Sequence, residues 1–308
     1  MNSFEKIVLV TRKTRLQELI ERFNTEAQAR FYIEHAGGDF SSYVAEHEAY
    51  QRSFESVRHS IAAGLKIQII ERGFLPTYLF TETDLVVTLG QDGLVANTAK
   101  YVRGQPILAV NPDPERFDGI LLPVSVAQLR QTLEHTLAGK SKVHSITMAE
   151  ARLKDGQRLL AFNDFFIGAR THISARYRVT YEKKSEDQSS SGIIVSTGAG
   201  SSGWLSSVFN EVSGIGSFLG GNVNEPIQLH FEDHQLVFVV REPFISRHSQ
   251  AGIVAGKVSA ACPLDIESQM PASGIIFSDG VEADGLDFNS GANVTIDIAQ
   301  ERANLVKI

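Results

Sequence analysis

The stretch Asp84-Leu-Val-Val-Thr-Leu-Gly90-Gln91-Asp92-Gly93-Leu94-Val-Ala-Asn97 passes from a short apolar run through a small polar loop into a helical pattern. An apolar run of that length, without polar alternation, is what a strand buried on both faces of a parallel sheet requires. Three similar runs lie around it, Lys6–Val10, Leu65–Ile70 and Pro106–Val110. Helical periodicity fills Thr14–Glu34, Tyr43–Ala63, Leu94–Val102 and Val126–Ala138, the last stopped by Gly139. The alternation predicts a doubly wound α/β domain over residues 1–140. Its Gly90–Gly93 loop then lies at the carboxyl end of a strand and the amino end of a helix, where such sheets bind ligands and free helix N–H groups favour phosphate. Asp-Gly also occurs at 118, 155, 279 and 284, so by itself the pair reads equally well as a tight turn with an Asp helix cap.

Beyond Lys140 the period changes to two. Ala151–Phe162 contains Lys-Asp-Gly-Gln at 154–157, a hairpin turn in type, and Ile173–Tyr181 alternates before a polar loop over Glu182–Ser191. Further strand-like runs are Ile193–Ser196, Leu236–Arg241, Gly252–Ala260, Gly274–Ser278 and Val294–Ala299. They predict a mostly β domain over 141–287, interrupted by one helix, Trp204–Val212, with Gly214–Asn224 as a flexible connection. Between Gly192 and Trp204 the chain reads Ile-Ile-Val-Ser-Thr197-Gly198-Ala-Gly200-Ser201-Ser202-Gly203, a loop small enough to bring backbone amides close to a ligand. Gly198, Gly200 and Gly203 spell G-x-G-x-x-G, but the preceding hairpins supply no βαβ unit, and no Lys follows the glycines as a P-loop requires. Asn163-Asp164 is a polar pair inside the apolar Phe162–Ile167 run. It is either a turn satisfied by the backbone or a pair aimed at a ligand.

The 308 residues carry 29 Lys and Arg against 36 Asp and Glu, a net charge of −7 that disfavours binding to a phosphate backbone. Neither nucleic acid nor membrane is an expected partner. An anionic ligand needs a local basic pocket, for which Arg170, His172, Arg176, Arg178, Arg241, Arg247 and His248 are the candidates. The single Cys262 forms neither an intramolecular disulfide nor a cysteine zinc site and is expected to be a small buried apolar residue. The first 34 residues show no signal-peptide or transit-peptide pattern, so the expected location is the cytoplasm. His residues do not cluster at metal-ligand spacing, and no G-x-S-x-G elbow is present.

Taken in order, Gly90-Gln91-Asp92-Gly93, Asn163-Asp164 and Ser196–Trp204 resemble the three motifs of the NAD kinases: G-G-D-G, an Asn-Glu pair, and a Thr- and Gly-rich loop. Asn111-Pro-Asp-Pro-Glu-Arg116, Ser190-Ser-Gly192, Trp204, Arg241-Glu-Pro243 and Ser278-Asp-Gly280 are similar to the mitochondrial-type branch of that family. The resemblance implies an α/β domain followed by a sandwich-like β domain, with a last segment, about 288–308, returning to the first. It also implies phosphoryl transfer from ATP with Mg²⁺ to the 2′-hydroxyl of the adenosine ribose of NAD, by a homo-oligomer, expected as a dimer. Asp92 then matches the catalytic aspartate, flanked by Gly90, Gln91 and Gly93, and Asn163 and Asp164 hold the dinucleotide. Thr197, Gly198, Gly200 and Ser201 border phosphates, while Ser202, Gly203, Trp204 and Ser207 line the nucleotide pocket. Gln91 stands where the family has a glycine, and Asp164 where it has Glu. Two other functions stay open: a kinase of a lipid or sugar hydroxyl, and a nucleotide-binding protein without turnover.

Overall fold

The computed structural model describes residues 4–61, 65–221 and 227–308, which form two compact units. The first comprises residues up to His144 together with Asn304–Ile308, and the second Ser145–Ala303. Of the expected returning segment, residues 288–303 therefore stay in the second unit.

In the first unit, β1 (Lys6–Thr11), β2 (Lys66–Glu71), β3 (Asp84–Leu89) and β4 (Pro106–Asn111) form a parallel sheet with the order β4-β3-β1-β2. A two-residue β5 (Val124–Ser125) pairs with the end of β4, and Asn304 and Leu305 pair in parallel with Pro106 and Ile107. All six residues of β3 are buried, as its unbroken apolar run requires. β2 departs from that expectation: it is the edge strand, and only Ile70 of its six residues is buried. Tyr50, Val57 and Ile61 of α3 (Ser41–Ile61) and Leu129 and Leu133 of α5 (Leu129–Leu137) pack in one cluster with Ile7, Leu9, Leu85, Val87, Leu108 and Val110. The helix expected over Thr14–Glu34 is two helices, α1 (Arg15–Phe23) and α2 (Glu26–His35). Asn24 takes a left-handed φ of 66° between them and Thr25 caps the second, because Asn tolerates that conformation and Thr competes for backbone N–H groups. Ala62 and Ala63 of the helix expected over Tyr43–Ala63 lie outside the described residues. Between β3 and β4, α4 (Asp92–Ala99) is buried along its last six residues, Leu94–Ala99.

The second unit is a pair of packed sheets. β6 (Val143–Leu153) and β7 (Arg158–Ala161) form a hairpin across the expected 154–157 turn. One sheet has the order β13-β12-β11-β8-β15-β16, built from β8 (Asp164–Ala169), β11 (Ile193–Ser196), β12 (Leu236–Val240), β13 (Ala255–Val258), β15 (Gly274–Ser278) and β16 (Val281–Asp287). Its inward residues Phe165, Ile167, Val195 and Phe238 share a core with Tyr177, Val179, Ile266 and Ile296. These come from β9 (Ala175–Tyr181), β14 (Leu264–Ser268) and β17 (Asn293–Val306), which pair in the order β9-β14-β17. Two expectations need correction. The polar stretch after Tyr181 is not a loop, because Lys184–Ser190 forms β10, an edge strand paired with β9, and only Glu182 and Lys183, both at positive φ, make the turn. The helix at Trp204 does not stop at Val212: α6 runs to Phe218 through Gly214 and Gly216, so only the last part of the expected connection follows it, and Asn222–Asn224 lie outside the described residues. Cys262 is half-buried rather than buried.

Candidate functional site

The Gly90–Gly93 loop leaves the carboxyl end of β3 and enters α4 within two residues. A Cβ on Gly90 would stand 2.7 Å from Leu94 Cδ2 and 3.2 Å from Leu94 Cβ, so the Leu94 side chain would have to shift. Gln91 is the N-cap residue, extended at φ −94° and ψ 171°, with an exposed side chain that makes no capping hydrogen bond. Position 91 thus needs none of glycine's freedom, and a Cβ at Gly93 would meet open space. Asp92 is the first residue of α4 and half-buried, and its Oδ1 accepts the Leu121 N–H at 2.7 Å. That bond fixes the carboxylate while Oδ2 makes no hydrogen bond among the described residues.

The other candidate residues lie in the second unit, where the β7–β8 turn, the end of β11 and the end of β15 converge. Asn163 and Asp164 sit in the turn between β7 and β8, both half-buried. The turn is gripped from two directions. Thr197 Oγ1 donates to the Phe162 carbonyl at 2.6 Å and approaches the Asn163 carbonyl at 3.1 Å, and the Thr197 N–H donates to the same Asn163 carbonyl at 2.9 Å. From the other direction the Asp279 carboxylate accepts the N–H groups of Phe162 at 3.0 Å, Asn163 at 2.6 Å and Asp164 at 3.3 Å. Asp279 holds a left-handed φ of 53°, a conformation that Asp adopts at moderate cost. The sequence motif Ser278-Asp-Gly280 marked this residue only as family-like, and Asp279, which organises the turn, is the side chain that sequence reasoning missed. Its only sequence signal was the Asp279-Gly280 pair; in the structure both residues take positive φ. Beside it, the hydroxyl of the fully buried Ser278 has no partner among the described residues.

With the backbone of the turn satisfied, the side chains of Asn163 and Asp164 make no hydrogen bonds among the described residues and stand available. Burial, and then the nearby charge of Asp279, push the Asp164 carboxyl up to about 7. At neutral pH this residue therefore exists in both protonation states.

The glycine loop serves the turn as well. A Cβ on Gly198 would lie 1.9 Å from the His230 carbonyl oxygen, and one on Gly200 would lie 2.2 Å from the Asn163 oxygen. Thr197, Gly198 and Gly200 are buried, so these glycines are fixed by close approach to neighbouring backbone within the unit. Ser201, Ser202 and Gly203 form the open part of the loop, with Ser201 Oγ donating to the Gly198 carbonyl at 2.7 Å. Trp204, at the start of α6, is half-buried. Its ring stacks on Phe166 at 5.8 Å with 8° between planes, and the Arg241 guanidinium lies over it at 5.6 Å. Ser207 is exposed and turned back onto the Gly203 carbonyl. Of the basic candidates, Arg170, His172 and Arg241 line a cavity of about 480 Å³ with Phe166 and Ser191. Arg178 is paired with Asp187 at the surface.

No family model matches the chain. It is 24% identical over 318 residues to the mitochondrial NAD kinase 2 of Rattus norvegicus, covering 79% of this chain and 74% of that protein. It is 32% identical over 184 residues to the NAD kinase of Heliobacterium modesticaldum, covering 55% of this chain and 63% of that protein. Among solved structures, yeast NADH kinase complexed with NADH superposes with a TM-score of 0.60 at 14% identity, covering all of this chain (100%) and 84% of that one. The NAD kinase of Archaeoglobus fulgidus in complex with ATP superposes with a TM-score of 0.56 at 17% identity, covering 98% of this chain and 93% of that one. The chain is thus similar in sequence to NAD kinases over most of its length and has their fold.

Proposed function

We infer that the chain is an NAD kinase, which transfers the γ-phosphoryl group of ATP to the 2′-hydroxyl of the adenosine ribose of NAD. The observation that carries this reading is Asp92, a carboxylate with one oxygen fixed and the other open at the head of a helix that follows a parallel strand. In the transfer the ribose 2′-oxygen bonds to the γ-phosphorus as the bond from that phosphorus to the β–γ bridging oxygen breaks. The hydroxyl proton passes to Asp92 Oδ2, and ADP leaves with the electron pair. Phosphoryl transfer depends mainly on positioning and charge, so a carboxylate held at the acceptor hydroxyl is sufficient. Mg²⁺ bound together with ATP would offset the negative charge of its phosphates. The open side chains of Asn163 and Asp164 hold the dinucleotide, and Ser201, Ser202 and Gly203 offer hydroxyl and amide donors to it. Gln91, exposed and unstrained, gives no reason for turnover to have been lost.

The expected assembly is a homodimer. Val212, Ile215, Phe218 and Leu219 of the α6 region are exposed apolar residues, which supports an oligomer that covers them.

The deciding experiment supplies the purified chain with ATP, Mg²⁺ and NAD and measures NADP, with calorimetry for NAD binding in parallel. NADP formation supports the reading. Binding of NAD without NADP would leave a nucleotide-binding protein, and neither binding nor turnover would overturn the assignment in favour of another hydroxyl acceptor.

A further inference from the structure

β1 runs parallel to β3 with Val10 opposite Thr88, so the residues following Thr11 emerge beside Leu89 and Gly90. The first of them is Arg12. A Cβ built on Gly90 would lie 3.6 Å from Arg12 Cδ, which sets this side chain against the loop that carries Asp92. Tyr50 ties the two strand ends together: its hydroxyl accepts the Arg12 N–H at 3.2 Å and donates to the Leu89 carbonyl at 3.1 Å.

The guanidinium is held on three sides. It lies over the Tyr50 ring at 5.3 Å, Nη2 bonds Glu46 at 3.0 Å, and Nη1 donates to the Lys13 carbonyl at 3.0 Å. Glu46, with a side chain only 4% exposed, also pairs with Arg15. Burial alone would raise the Glu46 carboxyl, yet Arg15 and Arg12 hold it below the ordinary carboxylate range. One carboxylate thus serves two guanidinium groups. Arg12 Nε is moreover buried without a hydrogen-bond partner among the described residues. A purely structural ion pair would need one arginine and would leave no donor orphaned, since an unpaired buried donor is costly.

We propose that Arg12 is a specificity-determining residue that contacts the phosphate chain of the phosphoryl donor, with Glu46 and Tyr50 as positioning residues. The ligand chemistry is a linear polyphosphate, whether carried by a nucleoside or free. The fork of a guanidinium matches two phosphate oxygens as an ammonium cannot. Its place at the carboxyl ends of parallel strands, beside the first turn of α4, is where anions collect in such sheets. This rests on the NAD kinase reading for the identity of the donor but not for the binding of phosphate.

The test uses the full chain with Arg12→Gln, Arg12→Lys and the double variant Arg12→Gln/Glu46→Gln. Calorimetry measures Mg·ADP, inorganic tripolyphosphate and NAD separately, and steady-state kinetics gives KM for ATP and for NAD. Arg12→Gln is expected to weaken ADP binding and raise KM for ATP at least about tenfold, with less than a twofold change for NAD, and Arg12→Lys to lose part of that. If Arg12→Gln unfolds because Glu46 keeps only Arg15 as a partner, the double variant removes both charges of the Arg12–Glu46 pair and must still show the ADP defect. Tripolyphosphate binding as tight as ADP, and lost with Arg12, identifies the phosphate chain itself as the ligand. Folded variants with unchanged ADP affinity, or with equal losses for ADP and NAD, would overturn the proposal. A wild type that binds ADP through Arg12 yet makes no NADP would instead overturn the NAD kinase reading alone.

Discussion

The carboxylate of Asp279 accepts the backbone N–H of Asn163 at 2.6 Å across 116 positions of sequence. Through that bond and its neighbours, Asp279 decides how the side chains of Asn163 and Asp164 are presented.

Replacing Asp279 by Ala leaves three N–H groups without their acceptor. With an unsatisfied buried donor costing about 1–3 kcal/mol, the variant should lose at least about 2 kcal/mol of stability. NAD affinity should fall with it, measured by urea unfolding and calorimetry on the surviving folded fraction. Unaltered NAD affinity in a destabilised variant would restrict Asp279 to a role in folding.

Asp92→Asn separates chemistry from structure, because an amide oxygen at position 92 can still accept the Leu121 N–H. Turnover should fall by about 10² to 10⁴, the range for a positioned acid–base group, while melting temperature and NAD affinity stay near wild type. NADP formation within a few-fold of wild type would remove Asp92 from the chemical step.

Gln91→Gly should do little. The residue it replaces is exposed, extended and unbonded at its side chain, so the change costs mainly backbone entropy, about 0.5–1 kcal/mol. The kcat for NADP formation should change less than about tenfold, or 1.4 kcal/mol of barrier. A large gain in rate would mean that the native side chain obstructs the donor.

The Asp164 carboxyl titrates near 7 in the folded chain against about 3.9 when unfolded. A folded pKa above the unfolded one means that the native state binds more protons between those values, so stability falls as pH rises from about 4 to about 7 and levels off above. Asp164→Asn should flatten that slope and gain stability relative to wild type at pH 8 but not at pH 4. Melting temperatures of both proteins across that range check it, and parallel curves would refute the buried titration.

Local signals made much of the fold readable. The apolar runs of β1, β3 and β4 follow from burial on both faces, and the helix between Gly93 and β4 from its helical periodicity. What escaped has equally specific causes. Lys184–Ser190 contains no apolar residue, so nothing in its pattern announces an edge strand; its pairing with β9 does. Gly214 and Gly216 suggested an end to α6, but the helix runs through both to Phe218. Among candidate functional residues, sequence motifs singled out Asp92, Asn163, Asp164 and the glycine loop. They did not reveal that Gly198 and Gly200 make room for the His230 and Asn163 carbonyls. Nor did they join Arg12 to Glu46 or Asp279 to Asn163, since those pairs are made by tertiary folding over separations that no local pattern spans.

Trp204 is the sole tryptophan of the chain, and it heads α6 directly after the glycine loop with Arg241 over its ring. Its emission therefore comes from one place and carries no background from elsewhere. A cation above an indole shifts and quenches its fluorescence, so any displacement of Arg241 or tightening of the loop becomes an optical signal. The protein can be titrated without a label, and the time course of that signal would resolve events at this loop from the slower appearance of product.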